Sequence, residues 1–298
     1  MGAEASKNSG RKPNFTFIWT IENGSALLVS RYLESPQFIA HSIAKTKWKL
    51  MVNTEFRHET LHLDIQREED SGPDTIEIEF ELSILSDNGS VSGMQTGKET
   101  FPISHCFHLK IFEDRHEVFF RRRAEFLPND TLTVRCRMWR TGTEISRSET
   151  WFARTRLGLD RRCFVWVIKE FSSLRPEQKR THFVNPTPHG SPQLILSLFL
   201  SERNGKNYVN IEIGQNDATR YYNMFCKCSL LESDGRVVHS EKTESVISLH
   251  FRKVCIFQEF LEKDKLMNKE SSLLLNDELY LRCEFQIEAD PVWSRIEN

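Results

Sequence analysis

The chain has 298 residues and a formal net charge of −2, with seven cysteines. That length allows two domains of ordinary size, the balanced charge argues against a general nucleic-acid or polyanion binder, and no run approaches the roughly 18 apolar residues of a membrane helix. None of the cysteines sits in a C-x-x-C pair, so they read as reduced core thiols of a cytoplasmic or nuclear protein rather than as a disulfide or metal framework.

In chain order, residues 1–12 form a polar, flexible N-terminal arm. Met1-Gly2-Ala3-Glu4-Ala5-Ser6 fits the N-myristoylation pattern, with Lys7, Arg11 and Lys12 behind it. The alternative is an ordinary disordered start, and membrane attachment is expected only if Gly2 is acylated. Phe17-Ile18-Trp19-Thr20-Ile21 opens the ordered part as a strand. Leu61, Leu63 and Ile65 alternate with His62 and Asp64. Ile76, Ile78, Phe80, Leu82 and Ile84 alternate with Glu77, Glu79, Glu81 and Ser83, which predicts a half-buried strand with an acidic, solvated face. Asp87-Asn88-Gly89 supplies a turn. Phe112 to Phe126 holds room for a short helix around Arg121-Arg122-Arg123, a basic run read as a solvated patch. Leu132, Val134, Cys136 and Met138 then mark a closing strand. A polar link, 141–159, follows.

Beyond the link the same text returns. Trp19 and Trp166 are 147 positions apart, as are Cys136 and Cys283, each pair inside a similar segment. Ser83–Gly89 matches Ser229–Gly235 at an offset of 146. Val209, Ile211 and Ile213 alternate, as do Met224, Cys226, Cys228 and Leu230, and Phe257 to Met267 is the expected helical counterpart of Phe112 to Phe126. The period is far longer than the roughly 20–50 residues of a solenoid unit, so each copy is expected to bury its own core. The expected organisation is an N-terminal arm at 1–12, a first domain at 13–140, a link at 141–159, a second and divergent domain at 160–289 and a tail at 290–298. Short alternating strands between turns predict an all-β protein of two tandem antiparallel sandwiches.

Catalytic and metal chemistry find no frame. His105-Cys106-Phe107-His108 holds metal-ligating types, but on a strand His105 and His108 point to opposite faces. No Gly-x-Ser-x-Gly elbow and no phosphate-cradling glycine loop is present. Neither an enzyme nor a cofactor nor a metal is expected.

The opening Phe-x-Trp-x-Ile strand, Lys47-Trp48-Lys49-Leu50 with Val52-Asn53, Phe80-Glu81-Leu82-Ser83-Ile84-Leu85 before its polar turn, and Phe126-Leu127-Pro128-Asn129-Asp130-Thr131-Leu132-Thr133-Val134-Arg135-Cys136 together resemble the MATH (meprin and TRAF homology) domain. The likeness is closest to the MATH domain of speckle-type POZ proteins. It covers Asn14 to Trp139 and, more weakly, Cys163 to Ile287. The resemblance implies MATH/TRAF-type sandwiches and a groove for short extended peptides of partner proteins, in which backbone pairing supplies affinity and alternate side chains enter pockets. In the speckle-type branch that groove selects substrates for a cullin-3 ubiquitin ligase through a BTB domain; only eleven residues follow Ile287, so the chain is expected to lack one. By the resemblance, the peptide-binding positions are Phe80, Phe101, Phe107, Leu109 and Lys110, with Asp64 where the family has a tyrosine. Phe80 and Phe101 have core packing as their alternative role. The second copy's equivalents are Glu212, Cys226, Phe251, Cys255 and Phe257, which have lost most aromatic walls; that copy binds another ligand, or serves as a spacer or a dimer surface. Two function classes stay open: an adaptor that binds linear peptide motifs, with a TRAF-like signalling adaptor as its variant, and a structural or self-associating scaffold. If Phe80, Phe101 and Phe107 line one exposed concavity the adaptor gains; if they are sealed in the core the scaffold gains.

Overall fold

Phe15, Phe17, Trp19 and Ile21 point to one side and the residues between them to the other, and this period of two makes Phe15–Glu22 the first strand, β1. The computed structural model describes residues 11–30, 32–54, 60–108, 113–142, 148–176, 178–186, 192–216, 222–243, 247–249, 254–268 and 273–297. They are mostly strand, in largely antiparallel sheets, and the protein is all-β. The chain divides into two compact units, Met1–Gly158 with Pro291–Asn298, and Leu159–Asp290.

After β1 come β2 (Tyr32–Glu34), β3 (Phe38–Ala40), β4 (Thr46–Asn53), β5 (Thr60–Arg67), β6 (Thr75–Leu85), β7 (Val91–Pro102), β8 (Cys106–His108), β9 (Glu113–Asp114), β10 (Thr131–Arg140) and β11 (Glu149–Ile168). One sheet of the first unit runs β7-β6-β10-β1 and adds the start of β11. The other runs β2-β4-β5-β8, with β3 on β4 and β9 on β5. Their inner faces meet in an aromatic-rich core. Phe38 stacks on Phe17 at 3.9 Å and on Phe15 at 5.3 Å, and Trp48 meets Phe101 edge-on at 5.0 Å. Each such side chain, fully withdrawn from water, contributes on the order of 2–3 kcal/mol.

The second unit holds β12 (Lys179–Val184), β13 (Leu194–Arg203), β14 (Lys206–Gln215), β15 (Tyr222–Leu231), β16 (Val237–Lys242), β17 (Ile247–Leu249), β18 (Val254–Glu262) and most of β19 (Leu279–Glu297). Its strand order is β11-β19-β15-β16 in one sheet and β12-β13-β14-β18 in the other. With β1-β10-β6-β7 and β2-β4-β5-β8 in the first unit, the order is the same. The likeness extends to single hydrogen bonds. Ser25 donates from its backbone N and its hydroxyl to Asp130, both at 2.9 Å; Ser172 does the same to Asp277 at 2.8 and 2.7 Å. Left-handed backbone recurs at Asn23 and Glu170, at Asn129 and Asn276, and at Gly89 and Gly235.

Several expectations change. In the segment expected as a link, Glu149–Gly158 is strand; in the expected tail, Pro291–Glu297 is strand and belongs to the first unit. The reason is alternation again: Ala153, Thr155 and Leu157 are buried in the first unit. Around Arg121 the chain makes a π-helical turn, Glu117–Arg121, and a four-residue helix, Arg123–Phe126. Phe257 to Met267 is helical only from Lys263, because Phe257 faces Ile211 across the β14–β18 ladder. Arg121, Arg122 and Arg123 each hold a carboxylate, Glu117, Glu125 and Asp130 respectively, so the basic run is locally balanced. The acidic face of β6 is not wholly wet: Glu81 is buried beneath Arg135 and Arg137. Among the described residues no helix is long and apolar enough to cross a membrane.

Candidate peptide-binding site

Strand β8 pairs with β5 alone, Ile65 opposite Phe107 and Asp64 opposite His108, and so forms the edge of its sheet among the described residues. An edge strand leaves the backbone groups of alternate residues facing outward. The side chains of β8 divide by parity. Phe107 shares the side of buried Ile65 and turns inward; Cys106 and His108 share the outer side with Asp64 and Gln66.

Inward, Phe107 meets Phe80 at 5.4 Å and Phe101 at 6.3 Å, and Phe80 meets Phe101 at 6.1 Å. The three aromatics assigned to the groove therefore do come together, but as a core cluster. Phe80 is 1% exposed and Phe101 0%; only Phe107, at the edge, is half-buried. Phe80 lies across Gly97 of β7, where an added Cβ would stand 2.4 Å from its ring. The end of β7 is fixed by a buried arginine that sequence reasoning missed. Arg67 Nη1 donates to the Phe101 carbonyl at 2.9 Å, while Nε and Nη2 grip Asp70 at 2.9 and 2.8 Å. The Arg67 guanidinium, with the backbone N–H groups of Lys47 and Gly72, holds the Asp70 carboxyl down at about 2. The one sequence signal for this clamp was an arginine on the inner parity of β5 followed by an acid three residues on.

Outward, Asp64 is 3% exposed and its Oδ2 lies 3.1 Å from Nδ1 of exposed His108. Lys49 on β4 bridges Glu34 at 3.1 Å and Glu68 at 3.2 Å. Burial depresses the Lys49 ammonium, but its hydrogen bonds to both acids outweigh that and leave its pKa raised. Burial, and then the charge of Asp64, push the Cys106 thiol up to about 11. Cys106 Sγ is 3.8 Å from the same Nδ1 that faces Asp64. A Cys-His-Asp relay needs the thiol and the acid on different ring nitrogens and a thiol poised to ionise; this arrangement provides neither. Among the described residues no cluster of three or more His, Cys, Asp or Glu is set to hold a metal. The outer surface is thus a charged, hydrogen-bonding face beside an open edge, suited to backbone pairing and charge selection.

Leu109, Lys110, Phe251 and Gly2 lie outside the described residues. In the second unit Glu212 faces outward and pairs with Lys179 at 2.8 Å, whereas Cys226 and Phe257 are buried in the core. Cys255 stands opposite Glu212 in the β14–β18 ladder.

Residues 33–138 match the MATH domain. The match begins in β2 and ends in β10, and so takes in strands of both sheets of the first unit, though not β1, and the whole of the β5–β8 edge. MATH domains are protein–protein interaction domains. No curated protein matches the chain. Sequence reasoning had placed this domain from its strand motifs, and had singled out Asp64; it missed His108 as its partner because the pairing crosses two strands.

Proposed function

We propose that the MATH unit binds extended segments of partner proteins along the free edge of β8. A bound segment adds backbone hydrogen bonds beside β8, sets alternate side chains against Phe107 on one side, and meets Asp64 and His108 on the other. The observation that carries this reading is the half-buried Phe107 at an open edge, continuous with a rigid aromatic cluster. Such an aromatic offers contact area at small entropic cost. Truncating Phe107 to Ala in the full chain is expected to weaken binding of a selected peptide by about 2 kcal/mol, with little change in melting temperature; unchanged affinity removes the edge from consideration. Selection from a peptide array supplies the ligand for this test.

A second reading is favoured by the sealing of Phe80 and Phe101. With two of the three groove positions in the core, a scaffold that meets partners or its own copies through other surfaces gains support. An array that returns no peptide, together with a concentration-dependent oligomer in sedimentation, selects that reading. The finer proposals rest on the resemblance: the MATH unit as substrate selector for a cullin-3-type ubiquitin ligase, or as a TRAF-like signalling adaptor. The equal strand order of the two units supports the second as a divergent copy of the same module.

A further inference from the structure

The two units differ at the outer flank of their first strands. In the first, β1 lies between β10 and β11, and Glu149–Arg156 runs parallel beside it. Trp19 stands opposite Ala153, and Ile21 opposite Thr155. The Trp19 indole is fully buried, and its Nε1 donates to Thr155 Oγ1 at 2.9 Å. The covering strand thus supplies a small residue beside the ring and an acceptor for a donor that burial would otherwise leave unsatisfied.

In the second unit the counterpart of β1 is the later half of β11, where Phe164, Trp166 and Ile168 repeat Phe17, Trp19 and Ile21. One flank of β11 holds β19. On the other, the ladder with β1 stops at Arg156, and among the described residues no strand continues it beside 159–168. Trp166 is 6% exposed, and among the described residues its Nε1 meets solvent rather than a protein acceptor. Its ring neighbour is His182 at 5.8 Å, and among the described residues no hydroxyl accepts from it as Thr155 does from Trp19. The outer row of this edge, Cys163, Val165 and Val167, is exposed, Val165 by 49%. An open backbone edge, an apolar outer row and an indole N–H without a protein acceptor coincide, among the described residues, on one strand.

We propose that this edge accepts, in parallel, an extended strand of another polypeptide that sets a small residue opposite Trp166 and a serine or threonine opposite Ile168. The site is separate from β8 and does not depend on the reading given there. A second copy's β11 fits poorly. Antiparallel self-pairing about Val165 aligns the apolar row with itself, but it sets Arg161 opposite Lys169 and Phe164 opposite Trp166. Like charges then face each other and no hydroxyl is supplied.

The probe is a synthetic peptide with the sequence Ser148–Gly158, which carries the small residue and the threonine at the required spacing. It is titrated calorimetrically into the full chain beside a second peptide with valine in the place of Thr155. The wild-type chain is expected to bind the threonine peptide about three- to tenfold more tightly, the range of one neutral hydrogen bond. Trp166→Phe, which keeps the ring and removes the donor, is expected to bind both peptides equally. The comparison of the two peptides on the wild-type chain stands even if that variant folds poorly. No binding of the threonine peptide, equal affinity of the two for the wild-type chain, or a preference that survives Trp166→Phe overturns the proposal. So does a dimer of the chain, seen by sedimentation, that the peptide does not dissociate.

Discussion

Asp70→Asn tests the clamp that anchors β7 behind the candidate site. Asp70 is nearly isosteric with asparagine, so the substitution removes the charge and leaves the shape. In the folded chain the Asp70 pKa lies at about 2 against a usual value of 3.8, chiefly because Arg67 hydrogen-bonds it. A depression of that size corresponds to about 2 kcal/mol of stability at neutral pH. The side chain is 3% exposed, so solvent screens little of it. The sign follows from the direction: a lowered carboxylate pKa stabilises the fold above the unfolded value, and the contribution fades as pH falls through the folded one. At pH 3 about 1 kcal/mol remains, and near pH 2 most of it is gone. Calorimetric or urea unfolding of the full chain and the variant, from pH 7 down to pH 3, reads the difference directly. The expected gap is about 2 kcal/mol at pH 7, shrinking to about half by pH 3 as the protonated acid comes to resemble the amide. A gap that is absent at pH 7, or equally large at pH 3, refutes the account of Asp70 as a charged partner of Arg67.

Gly97→Val drives a side chain into the Phe80 ring and is expected to destabilise the first unit by about 1–3 kcal/mol, measured by urea denaturation; a neutral result means the cluster is looser than its geometry. Cys106, with its thiol at about 11, should react slowly with iodoacetamide at pH 7.4 and faster as pH rises through 9 to 11, when thiolate forms; rapid labelling at neutral pH, followed by peptide mass spectrometry, contradicts that environment. Asp64→Asn should narrow any preference of the β8 edge for lysine-bearing over glutamate-bearing peptides, an effect of about 1 kcal/mol or less that salt weakens; fluorescence anisotropy at low and high salt that shows no preference in the parent chain removes Asp64 from the recognition surface.

The sequence determined what depends on near neighbours. A period of two over Ile76 to Ile84, or over Phe15 to Ile21, requires a strand with one apolar side, because successive side chains must point oppositely. The recurrence of Trp19 as Trp166 and of Cys136 as Cys283 carried the doubling of strand order, since the same inner residues demand the same partners. The alternation of β6 even placed Phe80 with Ile78 and Leu82, on the core side; it was the likeness to a groove position that drew Phe80 outward. Only the tertiary structure decided what depends on pairing over more than a hundred residues. The sequence of Glu149–Arg156 reads as a polar link, and becomes strand because β1 offers it an edge and Trp19 needs the hydroxyl of Thr155. Asp64 is an ordinary strand acid until β8 sets His108 beside it. Trp166 looks like Trp19 in every local respect; that one indole has a protein acceptor and the other, among the described residues, has none follows from which strand each edge holds, and no local pattern carries that information.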